Sequence, residues 1–130
     1  MPEATGTFEV KLLPMTPDGI AGDPLIGRMS IEKQFQGGLE GVSQGEMIGA
    51  RTAVKGSAGY VAMERVSGSL GGRTGTFVLQ HNGTMTRGTL ELSVTVVPDS
   101  GTGELSGLEG RMRIDIAGGA HSYVFEYRLG

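Results

Sequence analysis

The sequence contains no cysteine, no long apolar run and no dense cluster of lysine and arginine. Without cysteine the chain forms neither disulfides nor thiolate metal sites. No run approaches the roughly 20 apolar residues of a membrane-spanning helix, and the first residues lack the basic and apolar segments of a secretory signal. A net charge of -3 argues against a large nucleic-acid surface, which needs a basic stripe. We therefore expect a cytoplasmic protein that binds neither membranes nor nucleic acid.

What the chain does contain is glycine and a regular alternation of apolar and polar residues. The 24 glycines among 130 residues follow no three-residue period, which excludes collagen and is typical of tight turns in an all-β protein. No segment of ten or more residues shows the apolar spacing of an amphipathic helix. A chain of this length forms a single domain, over residues 1–130, that can bury a core.

The alternation predicts eight strands, at about residues 5–12, 29–35, 39–51, 60–70, 74–85, 89–97, 111–116 and 123–129. A loop rich in proline and glycine, from Pro14 to Pro24, follows the first strand. Eight amphipathic strands with short connections form a meander, and closure into a barrel removes both of its edges. We predict an eight-stranded antiparallel up-and-down β-barrel without a long helix. A two-sheet sandwich stays open as an alternative, because alternation does not show closure.

The stretch GTGELSGLEG, residues 101–110, has the glycine density of a phosphate-binding loop. A dinucleotide fingerprint follows a buried parallel strand and opens a helix, whereas this stretch lies between two alternating segments, and it has no Gly-Lys-Ser/Thr. We interpret it as a bend between two strands, with Leu105 and Leu108 plugging the end of the barrel.

Several of these segments resemble a bacterial family of unknown function that is related to the allene oxide cyclase barrel. The resemblance is carried by SGTGELSGLEG after VTVVP, by MERVSGSLGGRTGTFVLQHNGTM and by ATGTFEVK, and it spans the chain from Ala4 to Leu129. The Gly-Thr-Gly corner is also similar to that of plant allene oxide cyclases and dirigent proteins. The resemblance implies an eight-stranded antiparallel barrel with a central cavity, in a superfamily where homo-oligomers are common. It implies no activity, since none is assigned to the nearest family.

The fourth and fifth predicted strands carry a candidate polar site. Tyr60 and Glu64 share one face of the fourth strand, and the Gly71–Gly72 turn joins it to the fifth. If this turn is centred near residue 72, residues of the two strands face each other when their numbers add up to about 144. Glu64 is then paired with Gln80, at a distance of roughly 5 Å. If that face is the interior, Glu64 is a cavity acid hydrogen-bonded to Gln80. Burial raises the pKa of a carboxyl group, so Glu64 is the candidate general acid or base.

Other candidate residues are weaker. Two histidines, His81 and His121, are too few for a three-histidine metal site, and we expect rim or packed positions for both. Tyr123 and Tyr127 share a face of the last strand and are candidate lining residues of the cavity. The seven methionines suit an adaptable apolar lining.

Two function classes remain open. The first is a barrel that binds a small apolar molecule, with Glu64 and Gln80 as polar anchors and Tyr60, Tyr123 and Tyr127 as further ligand-binding residues. The second is a cofactor-independent isomerase or cyclase with Glu64 as general acid or base. Neither requires a metal or another cofactor. We also expect a homodimer, with a trimer or higher oligomer as the alternative, because a polar cavity wall leaves apolar side chains on the outside of the barrel.

Overall fold

The structure, a computed structural model, describes residues 2–15 and 25–129. Eight strands close into a barrel in which each strand pairs antiparallel with its neighbours in the sequence. The strands are β1 (Glu3–Pro14), β2 (Ile26–Gly37), β3 (Leu39–Arg51), β4 (Ala58–Leu70), β5 (Arg73–Thr86), β6 (Thr89–Val96), β7 (Leu108–Ala117) and β8 (Ala120–Leu129). The predicted all-β barrel is confirmed, and the sandwich is excluded.

Beyond the strands, the described residues contain one short 3-10 helix, Gly103–Leu105. Within the same ranges, no helix has the length and apolar character needed to cross a membrane. The predicted proline- and glycine-rich loop falls mostly on residues 16–24, which lie outside the described residues.

Two-residue glycine turns set the register of the sheet. Gly71 and Gly72 both have positive φ, +58° and +84°, which is the geometry of the type I′ turns favoured in tight hairpins. Leu70 therefore lies directly opposite Arg73, and paired positions of β4 and β5 sum to 143. This register decides which residues of β5 face the interior.

The apolar core fills one end of the barrel, which we call the closed end. It is the end where β4 turns into β5 and where residues 97–107 connect β6 to β7. Its largest buried side chains are inward-facing aromatic and leucine residues: Phe35, Phe77, Phe125, Leu39, Leu70 and Leu79. The rings of Phe77 and Phe125 stack with centroids 5.8 Å apart. Close packing at this end leaves the interior space at the other, open end of the barrel.

The glycine-rich stretch that follows β6 is structural, as predicted. Its polar side chains bind the backbone of β5: Ser100 Oγ accepts the Val78 N–H at 3.0 Å, and Thr102 Oγ1 accepts the Thr76 N–H at 3.1 Å. Leu105 and Leu108 are 0% and 1% exposed inside the core. The segment therefore plugs the closed end.

The outside of the barrel exposes apolar side chains on β3 and β4, including Val42, Ile48, Val61 and Met63, each 41–53% exposed. Ile48 and Val61 lie directly opposite each other. These side chains are of the kind expected at an interface, and the homodimer stays a prediction.

Gly45 on β3 permits a close approach to β4 in the middle of the barrel. A Cβ atom at this position would meet the carbonyl oxygen of Met63 and lie 2.6 Å from Glu64 Cα. By contrast, a Cβ atom at Gly27 on β2 would meet none of the described residues within 4 Å. The two glycines therefore form a matched pair of substitution sites in strand interiors.

We expect Gly45→Ala to lower the free energy of unfolding by about 1–3 kcal/mol, because the backbone of β4 must shift to accommodate the methyl group. Gly27→Ala is expected to be neutral or stabilising by up to about 1 kcal/mol, since it restricts only the unfolded chain. Urea denaturation of both variants measures the difference. Equal stabilities would contradict the close approach of β3 and β4.

Candidate functional site

A cavity of about 610 Å³ opens at the end of the barrel opposite the core. Its floor includes one row of inward-facing residues that lie opposite one another across β2 to β5: Gly27, Gly49, Tyr60 and Gly83. Three glycines in a single row leave the barrel interior unfilled at this level. Apolar side chains line most of the remaining wall, among them Met29, Met47, Met85, Leu90 and Ala58.

Tyr60 is the large polar side chain of this row. Its ring covers Gly83 on the neighbouring strand, where a Cβ atom would collide with Tyr60 Cε1. Gly83 is thus required for the ring to lie flat against β5. Burial, and then the negative charge of Glu64, raise the pKa of Tyr60 to about 12, so the phenol keeps its proton at neutral pH.

A buried group of charged and polar side chains lies below the Tyr60 row. Glu64 Oε2 accepts a hydrogen bond from Lys33 Nζ at 2.8 Å and lies 2.6 Å from His81 Nε2. The three side chains, from β2, β4 and β5, are 6%, 0% and 4% exposed. Lys33 Nζ also lies 4.8 Å from the centre of the Phe8 ring, a favourable position for a cation.

The charges of this group set the ionisation of Glu64. Burial alone would raise the pKa of the carboxyl group, but the hydrogen bond from His81 and the positive charge of Lys33 outweigh it and lower the pKa to about 2. Glu64 is therefore ionised at neutral pH and forms a buried ion pair with Lys33.

His81 links this ion pair to the cavity. Its Nδ1 atom lies 3.2 Å from the hydroxyl oxygen of Tyr60, so both ring nitrogens are within hydrogen-bonding distance of a partner. We call the four residues Lys33, Glu64, His81 and Tyr60 the polar chain. Of these, Tyr60 lines the cavity, while Glu64 lies beneath the floor.

The structure places Glu64 inside the barrel, on the face it shares with Tyr60, but the predicted pairing with Gln80 is wrong. Because the glycine turn has two residues, Glu64 lies opposite Leu79, and Gln80 lies opposite Met63 on the exposed outer face. The inward-facing residue of β5 that reaches the Glu64 carboxylate is His81, which lies opposite Ala62 and follows Gln80 in the chain.

The two tyrosines of β8 point inward, but they do not line the open-end cavity. The hydroxyl group of Tyr123 accepts the Leu39 N–H at 3.0 Å and lies 2.9 Å from the carbonyl oxygens of Gln36 and Leu39. Burial raises its pKa. Tyr127 packs against the apolar core, with its ring centre 5.5 Å from that of Phe125. Both residues stabilise the closed half of the barrel.

His121 is half-buried against the ring of Phe8, with ring centres 5.1 Å apart, which fits the expected packed position. His81 has a larger role than the sequence suggested, since it bridges Glu64 and Tyr60. No three histidine, aspartate or glutamate side chains lie together as metal ligands in the described part of the chain. Lys33 was missed as a site residue although its position signalled it: it is the charged exception on the apolar face of β2.

The buried ion pair yields a stability prediction. We expect Lys33→Met to lower the free energy of unfolding by roughly 3–5 kcal/mol, because it leaves the charge of Glu64 buried without a counter-ion. The double variant Lys33→Met/Glu64→Gln is expected to lose less than the sum of the two single variants. Arg128→Met, which breaks an exposed ion pair with Glu109, serves as control and is expected to cost under about 1 kcal/mol. If the loss of unfolding free energy in the double variant equals the sum of the losses in the two single variants, the pairing is contradicted.

The low pKa of Glu64 predicts an acid-sensitive contribution to stability. In the unfolded chain this carboxyl titrates near 4.5, and in the folded protein near 2. A lowered folded-state pKa stabilises the protein above pH 4.5, and this stabilisation is lost as the pH falls towards 2. The difference in unfolding free energy between the native protein and Glu64→Gln should therefore shrink across that window. A difference that does not change with pH would contradict the assignment.

Comparison with known proteins places this site in a defined family. Residues 4–127 match the family model described as protein of unknown function (DUF3224). A crystal structure of a protein of unknown function from the same family, from Shewanella oneidensis, is 53% identical, with a TM-score of 0.92 over 100% of this chain and 98% of that one. No curated protein matches the chain, and the similarity to the allene oxide cyclase barrel stays a prediction. The chain belongs to the DUF3224 family.

Proposed function

We propose that this barrel binds a small, largely apolar molecule in its open-end cavity, with the hydroxyl group of Tyr60 as the polar anchor. The observation that carries the proposal is the junction of the two features: an apolar cavity and a buried polar chain that ends at the cavity floor in Tyr60. Binding sites for small molecules commonly combine an apolar wall with a few fixed polar groups.

The size and lining of the cavity support binding. A volume of about 610 Å³ lies within the range of ligand pockets, roughly 300–1,000 Å³, and an eight-stranded barrel is just wide enough to hold one small ligand. Met29, Met47 and Met85 are flexible apolar side chains that adapt to ligands of different shape.

The polar chain gives the anchor a fixed position. Tyr60 is held from below by His81, and His81 by the ionised carboxylate of Glu64. Glu64 therefore orients the anchor from beneath the floor and does not contact the ligand itself. Gln80, on the outer face, takes no part in the proposed site.

An acid/base isomerase or cyclase is the second candidate, but the state of Glu64 does not favour it. A carboxyl with a pKa of about 2 has no proton to donate at neutral pH and is a weak base. Its side chain is also 0% exposed and already bound by two neighbours. A binding role does not require the carboxyl group of Glu64 to donate or accept a proton.

The methionine methyl groups offer a direct test of where a ligand binds. In a protein with 13C-labelled methionine methyls, we expect an added apolar probe, 2-decanol, to shift the signals of Met29, Met47 and Met85, which line the cavity. Met63, exposed on the outer face, and Met112, buried in the core, are internal controls. Shifts confined to Met63, or no shifts at all, would contradict the proposal.

A cavity-filling substitution gives an independent test. Gly27 lines the cavity, and a Cβ atom at this position meets none of the described residues within 4 Å, so Gly27→Phe is expected to place its ring in the cavity while leaving the protein folded. We expect it to weaken 2-decanol binding at least tenfold, whereas Gly27→Ala keeps most of the affinity. Native mass spectrometry of the three proteins measures both this difference and any ligand retained from the cell. Equal binding by a folded Gly27→Phe variant would rule out this cavity.

A further inference from the structure

The hydrogen-bond directions along the polar chain are set by its chemistry. An ionised carboxylate only accepts hydrogen bonds, so the His81 Nε2 atom, 2.6 Å from Glu64 Oε2, must carry a hydrogen. In a neutral imidazole the other nitrogen is then an acceptor. That nitrogen, Nδ1, lies 3.2 Å from the hydroxyl oxygen of Tyr60.

The balance of charge indicates that the imidazole is neutral. The positive charge of Lys33 already compensates the negative charge of Glu64, at 2.8 Å. These two side chains and His81 are at most 6% exposed. A second proton on His81 would leave this buried group with a net positive charge, which is unfavourable away from water.

Tyr60 consequently donates its one hydroxyl hydrogen in a hydrogen bond to His81 Nδ1. Towards the cavity, the Tyr60 hydroxyl oxygen can then only accept a hydrogen bond. A ligand that donates a hydrogen bond can use it, whereas a ligand that only accepts would have to take the hydrogen away from the buried nitrogen. A buried acceptor left without its partner is costly.

We propose that the cavity selects apolar molecules that carry a hydrogen-bond donor, such as a hydroxyl group, over carbonyl compounds of the same size. His81 acts here as a positioning residue, because it fixes the direction of the Tyr60 hydroxyl without contacting the ligand. This inference rests on the proposed binding function and adds the chemical class of the ligand.

A matched pair of probes tests the selectivity. 2-Decanol and 2-decanone differ in the group at one carbon, and titration of the methionine methyl signals measures the dissociation constant of each. We expect the native protein to bind the alcohol about fivefold more tightly, the ratio that one hydrogen bond of about 1 kcal/mol provides. Equal affinities would overturn the inference but leave the binding function intact, whereas no binding of either probe would overturn both.

Two variants separate a directional role from a structural one. Tyr60→Phe removes the hydroxyl group and keeps the ring over Gly83, so the ratio is expected to fall to about one. In His81→Leu the Tyr60 hydroxyl is free to donate, and the ketone is expected to gain affinity relative to the alcohol. A preference for the alcohol that persists in Tyr60→Phe would contradict the inference.

The proton position itself is measured without any ligand by 15N NMR of the histidine side chains. We expect His81 Nε2 to show a protonated signal and Nδ1 the signal of an unprotonated acceptor at neutral pH. His121→Gln assigns the second histidine and serves as control. Protons on both nitrogens of His81, or on Nδ1 alone, would overturn the inference whether or not a ligand binds.

Discussion

The ion pair between Lys33 and Glu64 is the interaction on which the interior of this barrel depends. Either charge alone would be costly at the centre of an eight-stranded barrel, but in the pair the two charges, 2.8 Å apart, compensate each other. The pair also fixes the imidazole of His81 and, through it, the hydroxyl of Tyr60. A polar layer thus separates a filled apolar end from an open one.

Glycine shapes the space on either side of this layer. Gly45 allows β3 and β4 to approach where Glu64 enters the interior, and Gly83 makes room for the ring of Tyr60. Gly27 and Gly49 leave the same level of the barrel unfilled. The glycine content that suggested turns therefore has a second role, because the inward-facing glycines at the open end leave interior space for the cavity.

The alternation of apolar and polar residues was sufficient to predict the eight strands and the shared face of Tyr60 and Glu64, because a strand has a two-residue period. It left open which face of the strand is the interior. The same reasoning could not identify which residue of β5 binds Glu64. Gln80 and His81 differ by one position, and the choice between them depends on the register that the two-residue turn sets. A one-residue slip reverses the face of every side chain. Lys33 was the stronger signal, because a lysine on an apolar face requires a buried counter-charge, which Glu64 provides in the structure.

The roles of Tyr123 and Tyr127 illustrate a different limit. Their shared inward face follows from the alternation, but the choice between core and cavity depends on which end of the barrel is plugged. That choice is made by Leu105, in the 3-10 helix after β6, and by Leu108, the first residue of β7. Long-range closure of this kind has no periodic signal in the sequence.

A crystal structure of the protein grown with 2-decanol tests the central claim most directly, because it shows both the location and the orientation of the bound molecule. We expect one alcohol molecule in the open-end cavity, with its oxygen within hydrogen-bonding distance of Tyr60 Oη and the ion pair of Lys33 and Glu64 intact beneath it. An alcohol bound only on the outer surface, or one whose oxygen points away from Tyr60, would contradict it.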